Sequence, residues 1–130
     1  MKYLDNAIKV SDKPEDALYA RANIFKESEN YEAAISDFKK VIELNHRNTE
    51  AYMGAGFAYY QLDSVDEAYK YYKLATQIDP AYAGAYFSEG LCSEELGGEQ
   101  EAIMLYQNCL NIDPNFKRAG EHLWKLQHNH

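Results

Sequence analysis

Apolar residues in this chain recur at spacings of three, four and seven, with charged and amide residues between them. That is the period of a helix burying one face. The stripes predict helices over residues 15–28, 31–44, 49–62, 65–78, 83–96, 99–112 and 117–128, with residues 1–12 as an eighth. The pattern also repeats. Displaced by 34 residues, the segments NYEAAISDFKKVIELNHRN, SVDEAYKYYKLATQIDPAY and GEQEAIMLYQNCLNIDPNF align without a gap. Ala34, Ala68 and Ala102 share one column; Phe38, Tyr72 and Tyr106 share another, followed by Leu44, Ile78 and Ile112. Upstream, Leu18, Tyr52 and Tyr86 align, as do Ala22, Gly56 and Gly90. A small residue one turn after a large one lets the paired helix approach closely.

The punctuation agrees. Ser64 followed by Glu67 reads as a capping box, Gly97-Gly98 as a tight turn, and Pro80 and Pro114 follow helix ends they could not continue. In this order of large, small, aromatic, Ala, aromatic and Pro over 34 residues, the chain resembles the tetratricopeptide repeat family. The resemblance implies an all-α, right-handed superhelical solenoid of antiparallel helix pairs, with three full repeats at 15–48, 49–82 and 83–116 in a single domain. Departures are local. Leu18, Tyr52 and Tyr86 stand where tryptophan is commonest, Arg21, Ala55 and Glu89 where leucine is, and His46 replaces the first proline.

The ends extend the register. Subtracting 34 places Leu4 under Phe38, Ala7 under Val41, Ile8 under Ile42 and Val10 under Leu44. Residues 1–13 are therefore expected to be the second helix of an incomplete repeat, in a piece of a longer array. Residues 117–130 are expected to form a capping helix and tail, with Leu123, Trp124 and Leu126 as apolar contacts and Lys117, Arg118, Glu121, Lys125 and Gln127 facing solvent. Such a cap is needed because each repeat contacts only its neighbours.

Composition narrows the partners. With 21 acidic against 13 basic side chains the net charge is −8, which disfavours a nucleic acid or an anionic membrane surface as ligand. The first residues, MKYLDNAIKV, lack the apolar core of a signal segment, and no apolar run is long enough to span a bilayer, so a cytoplasmic location is expected. Cys92 and Cys109 lie in columns of small core residues and read as packing.

In the family, first helices line a concave surface that holds an extended or helical peptide. A one-residue step turns a helix by about 100°. From the core stripe this step leads to Tyr19, Asn23 and Lys26 in the first repeat, Met53, Phe57 and Tyr60 in the second, and Phe87, Leu91 and Glu94 in the third. An apolar face on a surface that meets water marks an interaction site, and Tyr, Phe and Met are enriched there. These residues are the candidate peptide contacts, with Arg118 and His122 on the capping helix in reach of an anionic group. Two alternatives stay open: some of these side chains join the inter-repeat packing, or helix 117–128 fills part of the groove.

One branch of the family captures a C-terminal carboxylate with Lys, Arg and Asn on successive first helices. The matching places hold Tyr19, Asn23, Gly54, Gly84 and Ser88, so that clamp is not expected. Acidic residues at Glu27, Glu29, Glu94 and Glu95, with Asp63 and Asp66, instead suggest a rim that favours a partner with basic residues beside apolar anchors. Catalysis finds little support: three of the four histidines, His122, His128 and His130, crowd the C-terminus, while His46 sits in a turn. No Ser or Cys has a paired base, no glycine-rich phosphate loop is present, and no cofactor or metal is expected. The expected role is a non-enzymatic protein-interaction scaffold or adaptor. Self-association into a homo-oligomer through the open N-terminal repeat face is the alternative.

Overall fold

The computed structural model describes residues 13–129. The expected helix over residues 1–12 lies outside the described residues. Seven helices are present among those described: α1 (Pro14–Glu27), α2 (Tyr31–Leu44), α3 (Thr49–Gln61), α4 (Val65–Ile78), α5 (Ala83–Glu95), α6 (Glu99–Ile112) and α7 (Lys117–His128). Each lies within a residue of the limits read from the sequence. No described helix is long and apolar enough to cross a membrane.

The chain divides into two compact units, one ending at Ser64 and the other beginning at Val65. In the first, α1 packs on α2 and α2 on α3. In the second, α4, α5, α6 and α7 pack in succession. The short turns that follow α1, α3 and α5 are built alike. Backbone N–H groups of Asn30, Ser64 and Gly98 donate to the carbonyls of Phe25, Tyr59 and Ser93 at 2.8, 2.9 and 2.8 Å. The residue before each, Glu29, Asp63 or Gly97, has positive φ at 63°, 61° and 88°. This left-handed closure satisfies carbonyls that the helix end leaves open. Only the third copy has the glycine that adopts it without strain.

The turns between repeats use a side chain instead. Asn45, Asp79 and Asp113, again one repeat apart, accept hydrogen bonds from the backbone N–H two residues on, at 3.0, 3.2 and 3.1 Å. This local bond is the physical content of the aspartate column. Asn48 then caps α3 by accepting from the Ala51 N–H at 3.1 Å.

The repeated columns form the core. Leu18, Ala22, Ala34 and Phe38 are buried in the first unit, and Ala68, Tyr72, Ala102 and Tyr106 in the second. Small residues are small because rings occupy the space. A methyl group on Gly90 would lie 2.6 Å from Tyr106 Cε1, and one on Gly54 would lie 2.3 Å from Phe38 Cζ. Trp124 corrects an expectation. It is 60% exposed, and α7 turns Ala119 inward instead, with Phe116, Leu123 and Leu126 against Phe87, Tyr106 and Cys109. The stripe 116, 119, 123, 126 has the three-and-four spacing of one helix face, and Trp124 falls off it.

Candidate functional site: an aromatic first-helix face

In the first unit, α1 and α3 are the first helices of their repeats and carry Tyr19, Asn23, Lys26, Met53, Phe57 and Tyr60. All of these are partly or well exposed. Phe57, 40% exposed, is the centre of the group. The Lys26 ammonium lies 5.6 Å from its ring centroid, and Tyr31, at the start of α2, meets it edge to face at 6.2 Å. Tyr19 leans edge-on against buried Phe38 at 6.0 Å. Aromatic pairs and cation–π contacts of this kind hold rings in one orientation without covering them. Tyr31 belongs to this group but escapes a reading confined to first helices, because it enters from the second helix of its repeat.

An ion pair fixes the two helices that present Tyr19 and Tyr31. Arg21 donates from Nε and a terminal nitrogen to the two oxygens of Asp37, at 2.7 and 2.8 Å, and Asp37 is almost fully buried. A two-pronged guanidinium–carboxylate pair fixes orientation as well as distance. Glu15 adds a second tie, accepting from the side-chain amides of Asn45 and Asn48 at 3.1 and 2.8 Å.

The second unit treats its candidates differently. Phe87 is only 4% exposed and belongs to the core, 5.8 Å from Tyr106 and 5.1 Å from Phe116 by ring centroids. Its expected role as a peptide contact is corrected: α7 lies over it, with the Arg118 guanidinium 4.9 Å from the ring centroid and His122 edge-on at 5.7 Å. Leu91 packs at the margin of the same core. Glu94 accepts from the Tyr106 hydroxyl at 2.7 Å and meets His122 Nδ1 at 3.2 Å. The structure thus brings Phe87, Glu94, Arg118 and His122 together, but against one another.

A polar seam beneath α5 is not signalled by the periodicity of the sequence. Glu89, 4% exposed, lies 3.0 Å from the Thr76 hydroxyl, which also reaches the Lys73 carbonyl at 2.8 Å. Burial pushes the Glu89 carboxyl above its usual range, against a hydrogen bond from Thr76 that lowers it, and Glu101 nearby adds to the rise. The single Thr76 proton can serve one acceptor. If it goes to Lys73, only a protonated Glu89 completes the pair. Tyr69 hydrogen-bonds Glu101, and its hydroxyl is raised by burial first and by that bond second. Cys92 and Cys109 are buried, and their thiols are pushed up to about 12 and about 11, chiefly by burial. Among the described residues no group of His, Cys, Asp and Glu has the arrangement to hold a metal ion.

A tetratricopeptide repeat profile matches residues 49–82 and 83–116, and a further TPR repeat profile matches residues 22–63. The chain belongs to the tetratricopeptide repeat family. No curated protein sequence is similar enough to count as a relative. Among solved structures, the crystal structure of MamA is 23% identical with a TM-score of 0.92, covering 98% of this chain and 75% of that one. The first TPR domain of Spaghetti (RPAP3), bound to the HSP90 peptide SRMEEVD, is 23% identical with a TM-score of 0.86 over 92% of this chain and 95% of that domain. The second TPR domain of human RPAP3, in complex with the HSP70 peptide SGPTIEEVD, is 26% identical with a TM-score of 0.80 over 85% and 92%. These likenesses establish an all-α tetratricopeptide repeat fold.

Proposed function

We propose that this tetratricopeptide repeat chain is a non-catalytic protein-interaction module that binds a peptide or helix of a partner against its first-helix face and acts as a scaffold or adaptor. The observation that carries the reading is the exposed aromatic group around Phe57, oriented by Lys26 and Tyr31 and flanked by Met53 and Tyr60. Rings held in place but left open lose little conformational entropy on binding. Two structurally similar TPR domains were solved with bound peptides, which supports the peptide-binding class.

The peptide chemistry differs from theirs. Those peptides end in an acidic sequence, whereas the places where the family's carboxylate-binding side chains would stand hold Tyr19, Gly54, Gly84 and Ser88 here, with only Asn23 retained. Acidic Glu27, Glu29 and Asp63 lie exposed in the first unit. A segment with an aromatic or aliphatic anchor beside Lys or Arg suits those surroundings better.

The test is affinity capture with a photo-cross-linker at Tyr60, comparing wild type with the double variant Met53→Ala, Phe57→Ala. Specific cross-linked peptides should disappear in the variant while its circular dichroism is retained. Unchanged capture by a folded variant rejects the site. A concentration-dependent dimer with cross-links only to the chain itself would favour self-association.

A further inference from the structure

The first-helix face does not exhaust the exposed aromatic surface. On α7 the inward stripe packs on the second unit's core, while the outward stripe is Lys117, Gly120, Glu121, Trp124 and His128, spaced by three and four residues. A methyl group on Gly120 would meet nothing within 4 Å. Beside it lies a hollow of about 400 Å³ lined by Lys117, Gly120, Glu121, Trp124 and Lys125. The indole that walls this hollow is 60% exposed. It is also held in place: the His128 ring stacks on it at 4.4 Å and 15°, and His128 Nδ1 donates to the Trp124 carbonyl at 2.8 Å.

The repeat register shows what this face is not. Gly120 falls in the column of Leu18, Tyr52 and Tyr86, and Trp124 in that of Ala22, Gly56 and Gly90. In the third repeat, that small position is where the second helix seats its ring, Tyr106 over Gly90. On α7 large and small are exchanged, so an indole stands where the incoming ring would go. The small column's seat for a ring is therefore filled on α7, and the open space lies one turn earlier, at Gly120, where an aliphatic side chain can enter the hollow.

Charge selects the occupant. The chain carries −8 overall, yet α7 holds Lys117, Arg118 and Lys125 against Glu121 alone among acidic residues. Lys117 and Lys125 bracket the hollow, and among the described residues neither is in a salt bridge. Opposite charges around an aromatic anchor are the arrangement that speeds and orients docking.

We propose that the outward face of α7 is a second docking surface, which takes an acidic segment whose aliphatic side chain enters the hollow beside Trp124 while its carboxylates meet Lys117 and Lys125. It uses a different helix from the peptide site proposed above and stands without it.

Trp124 is the only tryptophan in the chain, so its emission reports this face directly. The probe is a synthetic amphipathic peptide of about 12 residues, with Leu on one face and Glu elsewhere, compared with the same peptide carrying Lys for Glu. The acidic peptide should give a saturable blue shift that weakens about tenfold between roughly 50 and roughly 300 mM salt. The double variant Lys117→Glu, Lys125→Glu should lose about tenfold in affinity, and Phe57→Ala should bind unchanged. Peptide anisotropy with Trp124→Phe supplies a readout free of indole emission, and circular dichroism confirms folding of each variant. Iodide should quench Trp124 more strongly than caesium. The proposal is overturned by equal binding of both peptides, by no saturable shift with the acidic one, or by a concentration-dependent dimer that Trp124→Ala abolishes.

Discussion

Replacing Gly54 with alanine tests whether small residues in this fold are dictated by the rings they face. The added methyl would lie 2.3 Å from Phe38 Cζ and 2.6 and 2.7 Å from its two Cε atoms, far inside carbon–carbon contact. Phe38 is fully buried, so the ring has no solvent to retreat into. Forcing a methylene into such a core costs about 1–3 kcal/mol. Against this, alanine in a helix interior is favoured over glycine by about 1 kcal/mol. Contacts this short put the overpacking cost in the upper half of its range, about 2–3 kcal/mol, so the net loss is about 1–2 kcal/mol, or roughly 3–8 °C in melting temperature for a chain of this length. Thermal and urea unfolding followed by far-UV circular dichroism measures it, since the single tryptophan lies in the other unit.

Two controls separate the clash from a general glycine effect. Gly120→Ala, with open space around its methyl, should instead gain up to about 1 kcal/mol. In a double-mutant cycle, Phe38→Leu with Gly54→Ala should cost at least about 0.5 kcal/mol less than the sum of the single changes, because the shorter side chain vacates the contested space. A Gly54→Ala protein that melts at or above wild type, or a strictly additive cycle, refutes the reasoning.

Three further outcomes follow from the same geometry. Glu89 binds its proton more tightly folded than unfolded, so its contribution to stability is fully present below the ordinary carboxylate range and is lost as pH rises through the raised value. Glu89→Gln should therefore stabilise the protein by about 1 kcal/mol at pH near 8 and by much less near pH 4, and an equal effect at both would remove the burial explanation. At the left-handed turn positions, Glu29→Gly should gain about 0.5–1 kcal/mol, and Gly97→Ala, whose methyl meets no neighbour, should lose about 1 kcal/mol through backbone strain alone. Denaturant midpoints check both, and identical signs would argue against strain. Cys92 and Cys109 should resist a disulfide reagent at pH 8 and react together as the protein is unfolded, since buried thiols held near 12 and 11 present almost no thiolate. Rapid labelling of the native protein would contradict their burial.

Much of the fold is legible in the order of the amino acids, for a simple reason. A 34-residue repeat presents each local preference three times, so accidental apolar residues average out while the packing columns stand out. The helix limits, the small column and the identity of Tyr72 and Tyr106 as core follow from period and register. The site is less legible. A one-residue step around a helix names a face but not what covers it, and Phe87 and Phe57 lie on the equivalent face of successive first helices with opposite fates. The first is sealed by α7 through Arg118 and His122, while the second stays open beside Lys26 and Tyr31.

Sequence by itself determined the repeating helices, the family and the column of small residues, because these depend on residue size and local periodicity. Tertiary structure alone decided the pairings of Arg21 with Asp37 and Thr76 with Glu89, the inward turn of Phe87 and the outward turn of Trp124. Those depend on which neighbouring helix claims a given face first, a three-dimensional competition for space that spacing along one chain does not encode.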